Sequence, residues 1–135
     1  MYLEYLLSTN EEIEWINIDR YLKEAIYKSG VQEGIAIIYC PHTTAGISIN
    51  ENADPHVISD INFGLDQISP KRKEYRHAEG NSSAHLKASL VGSSQSVIIS
   101  NSRPLLGMWQ SVYFCEFDGP RPRKLCIKII GSRDE

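Results

Sequence analysis

Apolar positions recur every second residue through Tyr2-Leu-Glu-Tyr-Leu-Leu7 and again at Ile13 and Trp15 before Asn17. With the polar break Thr9-Asn10-Glu11 between them, they predict two paired strands. Helical spacing then takes over. Leu22, Ala25 and Ile26 share a face, Asp19 is placed to cap the first turn, and Gly30 follows a helix expected to end near Ser29. Gly34 to Tyr39 is a β-branched run of strand length, and alternation resumes in Ala45-Gly-Ile-Ser-Ile49, which makes Pro41-His-Thr-Thr44 a connection between strands. Asp54-Pro55 opens a second helix carrying Val57, Ile58, Ile61, Leu65 and Ile68, and Ser69-Pro70 ends it. The stretch from Lys71 to Asn81 is too polar for a core and reads as a loop. Ser82 is expected to cap a short helix through Leu90 with Gly92 after it. Strands near Val97–Ser100, Trp109–Phe117 and Lys124–Ile130 follow, the last two joined by the turn Asp118-Gly119-Pro120. No repeat or composition break divides residues 1–135, so one α+β domain is predicted.

Composition narrows the function classes. Hydrophobic residues at 41% and charged residues at 23% over 135 positions are ordinary globular usage, which excludes a disordered or collagen-like chain. Fourteen Lys and Arg against 17 Asp and Glu give a net charge of -3, so attraction to nucleic acid or to an anionic membrane is not expected to be its main business. The longest apolar stretches fall far short of a membrane span and the start lacks a basic leader pattern; a cytoplasmic protein is expected. Cys40, Cys115 and Cys126 form no CxxC pair and read as buried small apolar side chains, with Cys115 and Cys126 able to face each other across a hairpin.

Candidate chemistry concentrates in the polar element ends. His42, His77 and His85 lie there, where side chains from separate segments can converge on a metal; the competing reading is a surface imidazole or one that pins a loop. Asn50-Glu51-Asn52-Ala53-Asp54 follows an apolar strand. Capping accounts for Asp54, whereas Glu51 belongs to neither strand pattern nor cap and is a candidate acid, base or orienter of an imidazole. Glu79-Gly-Asn-Ser-Ser-Ala-His85 combines a glycine, hydroxyls and a helix start, and reads either as an anion cradle or as an ordinary capped helix. Lys71, Arg72, Lys73 and Arg76 add positive charge, most simply as a solvated loop. Trp109 is expected in the core, and Gln110, Phe114 and Glu116 share one strand parity and so one face. His56, just after Pro55, is expected on the surface. No Gly-rich nucleotide loop, serine elbow or HExxH helix occurs.

Together, His42-Thr-Thr-Ala-Gly46, Asn50-Glu51, Tyr75, His77, Gly80-Asn81, Ala84-His85, Gly107, Trp109-Gln110 and Glu116-Phe-Asp-Gly-Pro-Arg121 closely resemble the YjbQ-like family, also called secondary thiamine-phosphate synthases. Ser102, where the family usually has glycine, and Met108, where it usually has threonine, depart from the pattern. The resemblance implies an α+β subunit of two packed, mainly antiparallel sheets with two or three helices, assembled as a homotrimer. It also implies a histidine pocket holding a metal or anion. The implied activity is the joining of an aminopyrimidine diphosphate to a thiazole phosphate with release of pyrophosphate, as a secondary reaction on small phosphorylated metabolites. By the same resemblance His42, His77 and His85 are the expected metal ligands. Glu51 and His77 are then the catalytic candidates, and Asn50, Arg76, Asn81, Ser82 and Gln110 the substrate contacts. An all-histidine set suits zinc or another transition metal, whereas magnesium, the usual partner of diphosphate, prefers oxygen ligands. The alternatives are a noncatalytic trimer that binds a metal or small anion, and a metal-dependent hydrolase.

Overall fold

The computed structural model describes residues 1–131. Its elements in chain order are β1 (Tyr2–Ser8), β2 (Glu14–Asn17), α1 (Asp19–Ser29), β3 (Gly34–Tyr39), β4 (Ala45–Glu51), α2 (Pro55–Ile68), α3 (Ser82–Val91), β5 (Ser94–Ser100), β6 (Arg103–Pro104), β7 (Gln110–Glu116) and β8 (Pro122–Gly131). They form two antiparallel sheets, one of strand order β1-β8-β3-β5-β6 and one of order β2-β7-β4, with three helices. No helix among the described residues is long and apolar enough to cross a membrane.

The sheets stack because each presents an apolar face to the other. Leu7, Ile38, Ile99, Leu125 and Ile127 of the larger sheet meet Ala45, Ile47, Val112 and Phe114 of the smaller one, and α1 closes this core with Leu22, Ala25 and Ile26. The other face of the smaller sheet, through Tyr113, Cys115 and Phe117, packs on Ala84 and Ala88 of α3 and on Ile58 and Leu65 of α2. β7 is therefore buried on both faces, and Ser111 to Phe117 are all shielded from solvent. α2 has no fully buried residue. It is tied to α3 by reciprocal hydroxyl–carbonyl bonds between Ser69 and Ser83 and by an ion pair from the buried Lys87 to Asp66.

The structure corrects several sequence expectations. β1 and β2 do not pair with each other: β1 lies on β8 and β2 on β7, because the Thr9–Glu11 break carries the chain from one sheet to the other. Asp19 is the first helical residue rather than a cap. Its carboxylate instead accepts bonds from the Ser111 hydroxyl (2.6 Å) and the Val112 amide (2.8 Å). Ser82 likewise opens α3 without capping it; Asn81 holds the cap position and makes no side-chain cap bond. Asp54 does cap α2, accepting from the His56 amide at 2.9 Å. Cys115 and Cys126 sit in different sheets, and all three thiols are free. Trp109 precedes β7 and is 58% exposed, so the core indole is Trp15, stacked obliquely on Tyr113.

The departure at Ser102 has a structural meaning. Asn101 (φ 53°) and Ser102 (φ 61°) both adopt the left-handed conformation before β6, where an L side chain is strained and glycine is not. The turn is held by the Ser102 amide bonded to the Gln32 carbonyl at 3.0 Å and the Asn101 amide bonded to the Glu33 carboxylate at 3.2 Å.

Candidate functional site

His42 lies in the connection that carries the chain from β3, in one sheet, to β4, in the other. Two contacts fix its ring. It stands edge-on to Phe114 with centroids 6.4 Å apart, and its Nε2 accepts the Lys124 backbone N–H at 2.8 Å. Burial, reinforced by the Arg123 guanidinium, holds its pKa below that of a free imidazole. An Nε2 that accepts from an amide carries no proton, so the neutral ring is the Nδ1–H tautomer and Nδ1 is a donor.

The ground beneath this histidine is a buried ion-pair network. Glu116 is fully buried and Arg123 nearly so, and they bond through two guanidinium nitrogens, Nε and Nη2, with Arg123 Nε at 2.7 Å from Glu116 Oε1. Glu116 also accepts from the Thr9 hydroxyl at 2.8 Å and from the Asp118 amide at 3.0 Å. Burial alone would push its carboxyl pKa up. The Arg123, Asp118 and Thr9 donors outweigh that and hold it below the usual range. The second Arg123 nitrogen reaches the Thr44 hydroxyl at 2.8 Å, which fastens the segment carrying His42.

Helix α3 supplies the opposite wall. His85 faces His77 at 5.3 Å between centroids with the rings perpendicular. His42, Thr43, His85, Ser89 and Ser93 line one open pocket of about 460 Å3. Gly46 packs behind the lining residue Gly92: a Cβ there would stand 2.5 Å from the Gly92 carbonyl oxygen, so only glycine lets β4 approach the end of α3 this closely. The pocket offers imidazoles and hydroxyls and no carboxylate.

Of the three histidines predicted to converge, His42 and His85 line one pocket, and His77 stands against His85 outside that lining. They do not form a metal cage as placed. Among the described residues no group of three or more His, Cys, Asp or Glu side chains is arranged to hold a metal ion. Moreover, His42 has one ring nitrogen occupied by an amide and the other carrying a proton. The donor set of one chain does not fit a three-imidazole metal centre.

The remaining candidates divide between places. Asn50 and Glu51 end β4, six residue steps from Ala45 or about 20 Å along the strand. Glu51 therefore cannot orient His42 of its own chain. Gln110 is the register partner of Glu51 at that same far end; it keeps the parity of Phe114 and Glu116 but is exposed where they are buried. Asn81 donates to Asp118 at 2.7 Å beside a different cavity, under α2. Ser82 is partly buried next to it, Arg76 is exposed in the loop before His77, and His56 is exposed beside Asp54 at 3.3 Å. Residue-by-residue reading missed Arg123, Thr44, Ser89 and Ser93. For Arg123 a signal existed: it shares odd parity in β8 with the buried Leu125, Ile127 and Ile129, opposite in charge to a Glu116 at the buried parity of β7.

Fold and site define a two-sheet α+β domain with a small polar pocket between a strand connection and a helix. The chain belongs to the family described as UPF0047 protein YjbQ-like, whose model matches residues 4–132. It is 53% identical over 133 residues to UPF0047 protein MJ1081 of Methanocaldococcus jannaschii, covering 98% of this chain and 96% of that one. With UPF0047 protein YugU of Bacillus subtilis it shares 51% identity over 126 residues, covering 93% and 96%. Among solved structures, an uncharacterised YjbQ/UPF0047 protein from Clostridium acetobutylicum matches with a TM-score of 0.93 at 55% identity, over 95% of this chain and 99% of that one. A YbjQ-like protein of unknown function from Sulfolobus solfataricus matches with the same TM-score, 0.93, at 27% identity over 98% and 97%.

Proposed function

We propose that the chain is a transferase of the thiamine-phosphate synthase type, joining an aminopyrimidine diphosphate to a thiazole phosphate. The observation that carries this reading is the lining of the His42–His85 pocket, which offers imidazole and hydroxyl donors with no carboxylate and so suits the oxygens of a departing diphosphate. In the step, the thiazole nitrogen forms a bond to the methylene carbon of the aminopyrimidine. The bond from that carbon to the diphosphate oxygen breaks, and the electron pair leaves with the pyrophosphate. His42, as the Nδ1–H tautomer, donates to a diphosphate oxygen, and the hydroxyls of Ser89 and Ser93 do the same. His77 and His85, side by side, offer further ring N–H donors, and Arg76 supplies a cation from the adjoining loop.

The functional unit in this proposal is a homotrimer. The larger sheet turns Ile35, Ile98 and Ile130 outward in register across three neighbouring strands, with Tyr39 exposed on the same face, and no helix among the described residues covers this face. Copies of the chain are its proposed cover. Titrating 15N-histidine-labelled protein with pyrophosphate tests the pocket: the His42 and His85 resonances should shift together, and His56 should not. Shifts at His56 alone, or none, would remove the reading. Pyrophosphate binding without turnover of the two substrates would favour the noncatalytic anion-binding trimer.

A further inference from the structure

A second cavity lies far from the histidines, between α1 and the segment that leads from β6 into β7. It encloses about 690 Å3, ample for a mononucleotide. One face of α1 lines it with Asp19, Lys23 and Tyr27, spaced i, i+4 and i+8; the core stripe of Leu22, Ala25 and Ile26 is the adjoining face of that helix. Tyr27 is 85% exposed, so packing within the chain does not explain an aromatic there. Facing the helix stand Asn52, Arg103 and Gln110.

The polar groups of this cavity have a definite pattern. Asn52 spends its Nδ2 on the Ser111 hydroxyl at 2.6 Å, which leaves Oδ1 as an acceptor with no partner among the described residues. Gln110 does the reverse: its Oε1 accepts the Gly107 amide at 2.7 Å and its Nε2 is left as a donor. Asp19 is satisfied by Ser111 and Val112, as described above. Lys23 and Arg103 pair with no carboxylate among the described residues. The two consecutive left-handed residues Asn101 and Ser102, anchored to Gln32 and Glu33, hold Arg103 over the opening.

An acceptor beside a donor matches a heterocycle edge bearing an amino group next to a ring nitrogen, as adenine and cytosine do. An exposed tyrosine offers a stacking surface, and two unpaired cations suit a phosphate. We infer that this cavity is a binding site for a mononucleotide with an amino-substituted base, distinct from the His42–His85 pocket. The inference stands whether or not the chain is a transferase, since it uses none of that pocket's residues.

The test is a titration of the full chain with adenosine 5′-monophosphate, with inosine 5′-monophosphate and inorganic phosphate as controls, followed by 1H–15N NMR. Inosine presents a carbonyl and a ring N–H in the reverse order. With the phosphate held, turning its ring over would carry the ribose away from the cations. The expected result is saturable shifts at Tyr27, Asn52 and Gln110, with adenosine monophosphate binding about tenfold more tightly than the inosine form. Lys23→Ala combined with Arg103→Ala should weaken binding about tenfold with the urea midpoint unchanged, because both side chains are exposed. Gln110→Leu should abolish the preference between the bases. No shift at about 5 mM adenosine monophosphate, equal affinity for both nucleotides, or shifts confined to His42 and His85 would each overturn the proposal.

Discussion

Replacing Arg123 by methionine removes one half of the buried ion pair and leaves a fully buried carboxylate behind. Glu116 would keep only the Thr9 hydroxyl and the Asp118 amide of its present donors. Stranding a charge in this way costs about 3–5 kcal/mol. For a chain of this size that corresponds to a fall in melting temperature of roughly 10–20 °C. The pH dependence gives a sharper signature, with a definite sign. In the wild type Glu116 titrates below its ordinary value of 4.5, so its contribution is present above that pH and is lost as pH falls through the lowered value. In Arg123→Met burial acts without the guanidinium and the carboxyl pKa rises. The Glu116 contribution should therefore become less unfavourable in the variant on acidification from neutral pH toward 4.5, a range over which the same contribution in wild type is constant. Urea unfolding at a series of pH values measures both. Adding Glu116→Leu to Arg123→Met should recover most of the loss, since the double variant buries no charge. A single variant within 1 kcal/mol of wild type, or a double variant as unstable as the single, would refute the account of what supports His42.

Other expectations follow from exposure and close approach. Trp109→Ala should change stability by no more than about 0.5–1 kcal/mol, because its indole is 58% exposed; a loss of about 3 kcal/mol in the isolated subunit would mean that it packs after all. Gly46→Ala should push β4 away from Gly92 and weaken pyrophosphate binding together with stability, read by titration and by melting. Ser102→Gly should raise stability by about 0.5–1 kcal/mol, the relief of left-handed strain less the entropy of an added glycine, and a lower melting temperature would contradict it. Since the His42 pKa is lowered, its contribution to stability should be full above 6.5, the ordinary imidazole value, and lost as pH falls from there through the lowered value, read by urea unfolding at a series of pH values.

The elements were legible where one principle governed each residue. The pattern of α1, the Asp54-Pro55 start of α2 and the polar loop after Pro70 all follow from spacing and capping. Sheet membership was not, because strand partners are chosen by packing across the whole chain, so the alternation in Tyr2–Leu7 cannot say that β8 lies beside it. β7 was hard to read for a different reason: buried on both faces, it has no polar parity from which the burial of Glu116 could be read. At the site, spacing could bring three histidines to element ends. It could not show that Lys124 claims one imidazole nitrogen, nor that Glu51 lies at the wrong end of β4.

The most direct test of the central reading is phosphorus NMR of the purified protein with an aminopyrimidine diphosphate and a thiazole phosphate together. The account predicts free pyrophosphate and a new phosphate monoester, formed in equal amounts and only when both substrates are present. It also predicts a sharp loss of that signal in His85→Ala, while His56→Ala, altered on an exposed residue outside the pocket, keeps it. Release of inorganic phosphate in place of pyrophosphate, or no turnover by a folded protein, would contradict it.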